Sequence, residues 1–404
     1  MNGSTEMKSS TSTGEATGAT GSPAGPAPTV LDLFCGIGGL ALGMKRAGAL
    51  PIGGVDSWDL AGRTFTRNLG LPHLRSDLRE TTASEIEDFF EVPAEEIDVI
   101  VGGPPCQGFS TVGKRKTGDA RNSLWKHYLG LARQIRPSYV AIENVEGMIV
   151  GNDGAARDNV IRAFREIGYR MKARVLKSAR YGVPQIRKRC VFLGWLASGG
   201  VEEPAYPAPT HTESGYVTVG EAISDLPELG PGEKAIKYGR EAKTEYQAAR
   251  RLWRPGAGSA LSGHEAANHS EKTVRRMSHV SDGGDRSEIP DRLQPGSGYH
   301  NSYSRLASWK PAACVTSNMR KPSSARCTHP KQNRGLTVRE GLRLQTFDDH
   351  FRVSGPRTRQ YDLVGNAVPP FLAEAIGKEI ARAFRRSVSP SVPEAAARGE
   401  PPLS

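Results

Sequence analysis

From residue 29 the chain repeats one alternation. Short apolar runs without helical spacing stand at Thr29–Phe34, Pro51–Val55, Ile97–Val101, Tyr139–Ile142 and Cys190–Leu196. Between them, apolar residues recur every three or four positions over Gly39–Ala47, Leu60–Leu69, Ser123–Ile135 and Asp158–Ile167. The first pattern suits strands covered on both faces, and the second puts an apolar stripe on a helix. Gly48 and Gly168 end two of the helices and Pro137 a third, because glycine takes the left-handed cap and proline cannot continue the ladder. Strand and helix in turn predict βαβ units, hence an α/β fold with a doubly wound, mostly parallel sheet.

The pattern decays after Leu196. Residues from about Ser198 to Ala307 are rich in Pro, Gly, Ser and His, with weak periodicity and no internal repeat. Helical spacing returns over Thr337–Gln345 and Phe371–Phe384. The expected organisation is a tail over 1–28, a first domain over 29–199, a smaller, irregular domain over 200–335, a return segment with a closing helix over 336–386, and a second tail over 387–404. Both tails are Ser-, Gly-, Ala- and Pro-rich, a composition that buries too little to fold. Neither they nor any later stretch supply an apolar signal or a membrane span, so the expected location is the cytoplasm.

Charge sharpens the division. The net charge is +11, yet residues 1–150 carry 14 basic and 17 acidic side chains while residues 151–200 carry 11 and 3. From Arg292 to Arg339 there are nine Lys and Arg and no acid. Two such blocks predict a polyanionic partner. The five cysteines (Cys35, Cys106, Cys190, Cys314, Cys327) form no Cys-x-x-Cys pair, which argues for a reducing compartment and against disulfides or zinc, so no metal is expected.

Two segments carry candidate chemistry. Asp32-Leu33-Phe34-Cys35-Gly36-Ile37-Gly38-Gly39 joins the first strand to the first helix, and Gly-x-Gly-Gly there lets the backbone approach a ligand. Asp56 ends the second strand, where doubly wound proteins place an acid for ribose hydroxyls, and Asp77 follows another short segment. The spacing is neither a dinucleotide fingerprint nor a phosphate loop, so an adenosine with a small charged tail fits better than a pyrophosphate. At the other segment, Cys106 follows the third strand behind Gly103-Pro104-Pro105, a rigid pedestal for a thiol. The other four cysteines read as buried and structural. Glu143-Asn144 ends the next strand; a carboxyl there caps a helix, pairs with a cation or does chemistry. On an extended strand Gln185, Arg187 and Arg189 share one face, which suits either a phosphate-facing surface or a site.

In this order, the Asp32–Gly39 run, Asp56, Asp77, Pro104-Pro105-Cys106-Gln107, Glu143-Asn144-Val145, Gln185-x-Arg187-x-Arg189, Arg339-Glu340 with Gln345-Thr346-Phe347, and Gly365-Asn366-Ala367-Val368-Pro369-Pro370 resemble the DNA cytosine-5 methyltransferases dependent on S-adenosylmethionine. The chain departs from that pattern at Asp348, where the family usually has proline, and at Ser57, where it often has a bulky residue, with Trp58 one place on. The resemblance implies a Rossmann-like methyltransferase fold with S-adenosylmethionine held by Phe34, Gly36, Ile37, Gly38, Gly39, Asp56, Ser57, Trp58, Asp77, Leu78, Pro104, Asn366 and Ala367. It implies Cys106 as nucleophile at carbon 6 of a cytosine flipped out of the duplex, Glu143 on ring nitrogen 3 and the exocyclic amine, Arg187 and Arg189 near the base, and Gln185 and Asn144 orienting them. The basic loop Gly108–Thr117 would close over the DNA. The domain over 29–199 would be catalytic and cofactor-binding and that over 200–335 would recognise the target, its acid-free block meeting phosphates and Asn318, Arg320, Lys321 and Arg326 being candidates to reach base edges.

Two rival readings stay in view. The transfer-RNA branch of the family usually carries a Cys-Phe-Thr tripeptide, which this sequence lacks. A non-catalytic relative would need a broken catalytic set, and this set is complete. The expected partner is therefore double-stranded DNA, acted on by a monomer. Most of the family modify host DNA beside a matched restriction endonuclease that shares the site without a stable complex, although solitary members exist.

Overall fold

Seven strands form one sheet in the order β3-β2-β1-β4-β5-β7-β6. The computed structural model describes residues 25–105, 124–150, 154–251, 260–296, 299–324 and 326–389. The strands are β1 (Thr29–Leu33), β2 (Leu50–Val55), β3 (His73–Leu74), β4 (Val99–Gly102), β5 (Tyr139–Val145), β6 (Tyr169–Lys177) and β7 (Lys188–Leu196). The first five run parallel, whereas β7 lies antiparallel to β5 and to β6. After β3 the chain returns to the far side of β1, so the order reverses between β1 and β4, and a crevice opens at their carboxyl ends.

In the first half, α1 (Gly39–Arg46), α2 (Asp59–Leu69), α3 (Ala83–Phe90), α4 (Leu124–Ile135), α5 (Gly147–Val150) and α6 (Ala155–Glu166) connect the strands. The predicted helix starts at Ser123, Asp158 and Leu60 fall within a few residues of these. The periodicity reading had no place for β3, α3 or β6. In β6 Tyr169, Met171 and Ala173 alternate with Arg170, Lys172 and Arg174, a half-buried pattern hidden in the basic block, and lysine and arginine suit an edge strand because they discourage pairing.

The second half carries α7 (Val219–Ile223), α8 (Glu245–Arg251), α9 (Glu271–Met277), α10 (Val338–Leu344), α11 (Arg357–Asn366) and α12 (Pro370–Val388). Helix α12 runs two residues past the expected boundary at Arg386, and Ser387 Oγ lies 2.9 Å from the Tyr139 hydroxyl. It covers one sheet face with Leu372, Ala373, Ile376 and Ile380 beside Val30, Met44 and Val99. Gly43 makes that approach possible: a Cβ there would meet Ala373 Cβ at 2.3 Å. The apolar cluster around Phe65 and Ile37 continues without a break into Val219, Leu336, Leu342 and Val364.

Much of the second half is organised by buried arginines. Arg343 spans Asp225 at 3.0 Å and Asp349 at 2.5 Å. Arg334 pairs with Glu340 at 2.7 and 2.9 Å, while Arg339 reaches the carbonyls of Asp348 and Phe351. All three arginines are fully buried. Arg305 fans onto the carbonyls of Met277, Val280, His329 and Gln332 at 2.6–2.8 Å. The acid-free stretch from Arg292 to Arg339 is thus partly a folding device, since Arg305, Arg334 and Arg339 are spent inside. Asp348, in place of the usual proline, pairs with Arg46 of α1 at 2.5 Å and with Arg250 of α8 at 2.9 Å. The expected tails lie outside the described residues apart from 25–28 and 387–389, as do Cys106 and the loop 108–117.

Candidate active site

A cleft of about 670 Å³ opens at the carboxyl edge of β1, β2, β4 and β5. One wall comes from the turn after β1. There Phe34 has a positive φ of 55°, Gly36 of 53° and Gly38 of 86°; a non-glycine residue rarely holds such an angle, which marks a constrained turn. The three glycines do different work. A Cβ on Gly36 would meet nothing within 4 Å, whereas one on Gly38 would strike Phe65 at 2.8 Å and one on Gly39 the Val368 carbonyl oxygen at 2.0 Å. Gly36 therefore leaves room in the cleft. Gly39 lines it but is glycine for packing, and Gly38 lies outside the lining.

Asp56 braces this wall. Its carboxylate accepts from Gly36 N–H at 2.9 Å and from Trp58 N–H at 2.8 Å. Burial pushes its acidity toward a higher pKa, and those two bonds work against the rise. Ser57, Trp58, Asp77 and Leu78 continue the lining. Arg79 grips Asp77 through its side chain and backbone, which lowers the Asp77 carboxyl to about 2. Asp32, fully buried beneath, accepts from Ala41 N–H at 3.0 Å, and its other oxygen has no hydrogen-bond partner among the described residues. Burial raises it well above the usual carboxylate range.

The opposite wall is built by sheet register. Val145 of β5 lies across from Arg189 of β7. Glu143, two residues earlier on the same face, is the diagonal neighbour of Arg189, and Arg189 Nε stands 2.8 Å from Glu143 Oε1. That oxygen accepts no aligned hydrogen bond among the described residues. Asn144, buried, donates to the Pro104 carbonyl at 2.8 Å and accepts from Val145 N–H at 2.8 Å. It ties the end of β5 to the segment leading into residue 106. Gly103, Pro104 and Pro105 line the cleft beside Glu143.

Gln185 departs from the expected common face. Strand β7 begins only at Lys188, and the preceding segment kinks through bonds from Gln185 N–H to Val183 O and from Arg187 N–H to Gln185 O. Gln185 is fully buried outside the cleft. It donates to Leu344 O at 2.8 Å and to Gln345 Oε1 at 2.7 Å, and accepts from Val315 N–H at 2.9 Å. Arg187 does line the cleft, donating to Val315 O at 3.0 Å and Gly365 O at 3.2 Å. Burial, then the charge of Arg189, lowers its pKa.

These bonds draw in residues that the sequence reading had assigned to the target-recognition lobe. Ala312 pairs in parallel with Gln185, which brings Cys314, Val315 and Thr316 into the cleft with Gly365, Asn366 and Ala367. The short apolar run Ala312–Val315 between Pro311 and Ser317 was the available signal. A Cβ on Gly365 would meet Ser317 N at 2.1 Å, so that glycine is needed where two backbones touch. Cys314 is a correction: it is exposed in the cleft, its Sγ 3.7 Å from Arg187 Nη1, while Cys35, Cys190 and Cys327 are buried. Burial pushes the Cys327 thiol up to about 12.

The family profile for C-5 cytosine-specific DNA methylase matches residues 28–382. The chain belongs to that family. It is 38% identical over 356 residues to the Type II methyltransferase M1.HphI of Haemophilus parahaemolyticus, covering 87% of this chain and 86% of that protein. It is 32% identical over 383 residues to the Type II methyltransferase M.XorII of Xanthomonas oryzae pv. oryzae, covering 89% and 86%. Among solved structures, a prophage-encoded E. coli protein described as a DNA modification methyltransferase superposes with a TM-score of 0.66 at 27% identity, over 89% of this chain and 99% of that one. The methyltransferase EhMeth of Entamoeba histolytica, at 15% identity and a TM-score of 0.59 over 89% and 99%, shares the fold. The chain is thus a C-5 cytosine-specific DNA methyltransferase with the Rossmann-like fold of its neighbours. No helix among the described residues is long and apolar enough to cross a membrane.

Proposed function

We propose that this methyltransferase modifies carbon 5 of a cytosine flipped out of double-stranded DNA, through a transient bond from Cys106. The observation that carries the reading is the Glu143–Arg189 pair at 2.8 Å, beside Pro104-Pro105 in a cleft whose far wall holds Asp56 and Trp58. One wall is chemically fitted to a pyrimidine and the other to an adenosine.

Cytosine carbon 5 is a weak nucleophile. A thiolate from Cys106 adding at carbon 6 pushes electron density onto carbon 5. Glu143, with an oxygen that accepts no aligned hydrogen bond among the described residues, is available to ring nitrogen 3 and the exocyclic amine as charge builds there. Arg189 and Arg187 supply fixed positive charge nearby, which favours both the thiolate and the anionic ring. Asn144 and Gln185 act as positioning residues, Asn144 on Pro104 and Gln185 on Val315. Once carbon 5 had taken the methyl group, loss of its proton to a base would break the carbon 6–sulfur bond and release Cys106 as the thiolate.

S-adenosylmethionine, which members of this family generally use, fits the other wall and supplies the methyl group. The open space at Gly36, the Asp56 carboxylate with lone pairs to spare, and the apolar surfaces of Phe34, Ile37 and Leu78 would hold an adenosine and its cationic tail. Ser57, Trp58, Asp77, Pro104, Asn366 and Ala367 complete the lining. The relatives' designation as Type II methyltransferases supports a role as the modification partner of a restriction endonuclease. Bisulfite sequencing of DNA from cells expressing the chain identifies the modified site.

The decisive experiment is a duplex with 5-fluorocytosine at that site. The wild-type enzyme with S-adenosylmethionine is expected to form an adduct that survives denaturation, and Cys106→Ser to form none. Methyl transfer to ordinary DNA by the Cys106→Ser enzyme would refute the covalent route.

A further inference from the structure

We propose that a second recess, on the rim of the cleft, seats one backbone phosphodiester of the DNA strand that carries the target cytosine. This rests on the DNA-methylating reading above. The recess, about 220 Å³, lies between the turn at Ser317–Lys321 and the first turn of α11.

Both of its walls are continuous with the cleft. Thr316 faces the cleft and Ser317 the recess; α11 enters the recess at Thr358 and Arg359 and reaches the cleft at Gly365. The two walls are locked together where Gly365 abuts the backbone of Thr316 and Ser317. From Arg359 to Gly365 the helix rises about 9 Å, the length of two to three base-pair steps at about 3.4 Å each. A strand with one nucleotide in the cleft therefore has a flanking phosphate within reach.

The lining selects a phosphate over a base. Every side chain in the recess is polar, so a flat base finds no aromatic or apolar face to stack on. Arg320 and Lys321 have no carboxylate partner among the described residues. Arg359 pairs with Asp362 at 3.5 Å, which neutralises the single acid and leaves two cations uncompensated. Both are pre-placed. The Arg320 guanidinium lies 5.9 Å over the ring of buried Tyr361, and a bond from Lys321 N–H to Asn318 O at 2.7 Å closes the turn beneath Lys321. A guanidinium, an ammonium and the Ser317 and Thr358 hydroxyls make a suitable set for a phosphodiester. Arg326, a candidate on sequence grounds, lies outside the recess.

The test uses full-length enzyme and a duplex containing its site. Arg320→Ala/Lys321→Ala is expected to weaken DNA binding several-fold and to reduce the slope of log affinity against log salt by about 0.9, the value for one phosphate. Unaltered binding of S-adenosylhomocysteine reports a folded cleft; if the double variant does not fold, Arg320→Gln and Lys321→Gln are measured singly. Methylphosphonates are then introduced one at a time around the target cytosine. One within three nucleotides is expected to weaken the wild type and to have no further effect on the variant. An unchanged salt slope, or a methylphosphonate that weakens both proteins equally, overturns the proposal. So does a flat scan in which inorganic phosphate displaces DNA better than chloride at matched ionic strength, which marks a free-anion site. If the wild type transfers no methyl group to any DNA, the parent reading fails instead.

Discussion

Beneath the cleft, Val30, Leu31, Val99, Ile100 and Val140 pack with every side chain apolar and fully buried. Beneath α10 the largest buried side chains are Arg334, Arg339 and Arg343, held by Asp225, Glu340 and Asp349. The first region gains stability from removing apolar surface from water and tolerates small changes of shape. The second must repay the desolvation of every charge with aligned partners, so it is intolerant of a missing one. The lesson concerns division of labour. The apolar sheet carries the cleft, and the ionic core fixes how α10, α11 and the 312–317 segment stand against it.

Acid should separate the two most widely. His329, buried beside Glu340, is lowered to about 3, below the ~6.5 of an unfolded chain. The unfolded chain takes the proton first, so stability falls as pH drops from about 6.5 toward 3. Although burial opposes it, Arg334 holds Glu340 below the usual carboxylate range, and Arg343 does the same for Asp349. Their contribution is full above about 4.5 and fades beneath it. Asp32 beneath the cleft and Asp56 in its wall are raised by burial, so protonation at low pH relieves the cost of burying their charge there. Hydrogen exchange against pH is expected to show α10 losing protection while β1 and β4 keep theirs; simultaneous loss would break the comparison.

Arg343→Leu comes next, because it removes the guanidinium that bridges two buried carboxylates, leaving Asp225 to Arg251 and Asp349 to Tyr238 and a more distant Arg339; the expected cost is about 3 kcal/mol in denaturant unfolding, the low end for a broken buried pair. Arg343→Lys, which keeps the charge but not the planar fork, should recover part of that loss; no recovery would mean that geometry rather than charge decides the region. Gln185→Ala leaves Val315 N–H and Leu344 C=O unpaired and should cost about 1–3 kcal/mol. It should also raise KM for DNA more than it slows transfer, since it loosens a wall and touches no reacting atom. Ile100→Val in the sheet should cost only about 0.5–1.5 kcal/mol. Lys378→Ala, which breaks an exposed pair with Glu374 on α12, should stay within about 0.5 kcal/mol.

The sequence by itself determined the parallel half of the sheet, because continuous runs such as Tyr139–Ile142 bury best as central strands. It also carried the family, because Pro104-Pro105, Glu143-Asn144 and Arg187-x-Arg189 are short motifs whose neighbours in sequence stay neighbours at the sheet edge. What depended on distant partners was not legible there. Gln185 became a clasp rather than a wall of the site because its acceptors lie about 160 positions away. Cys314 entered the cleft because Ala312 pairs with that same segment. Arg305, Arg334 and Arg339 read as a DNA-facing charge block until their carbonyl and carboxylate partners closed around them. The physical reason is common to all three: an apolar run announces its burial through its own solvation, whereas a polar side chain is buried only when another part of the chain arrives with the complementary bond, and only the tertiary structure brings the two together.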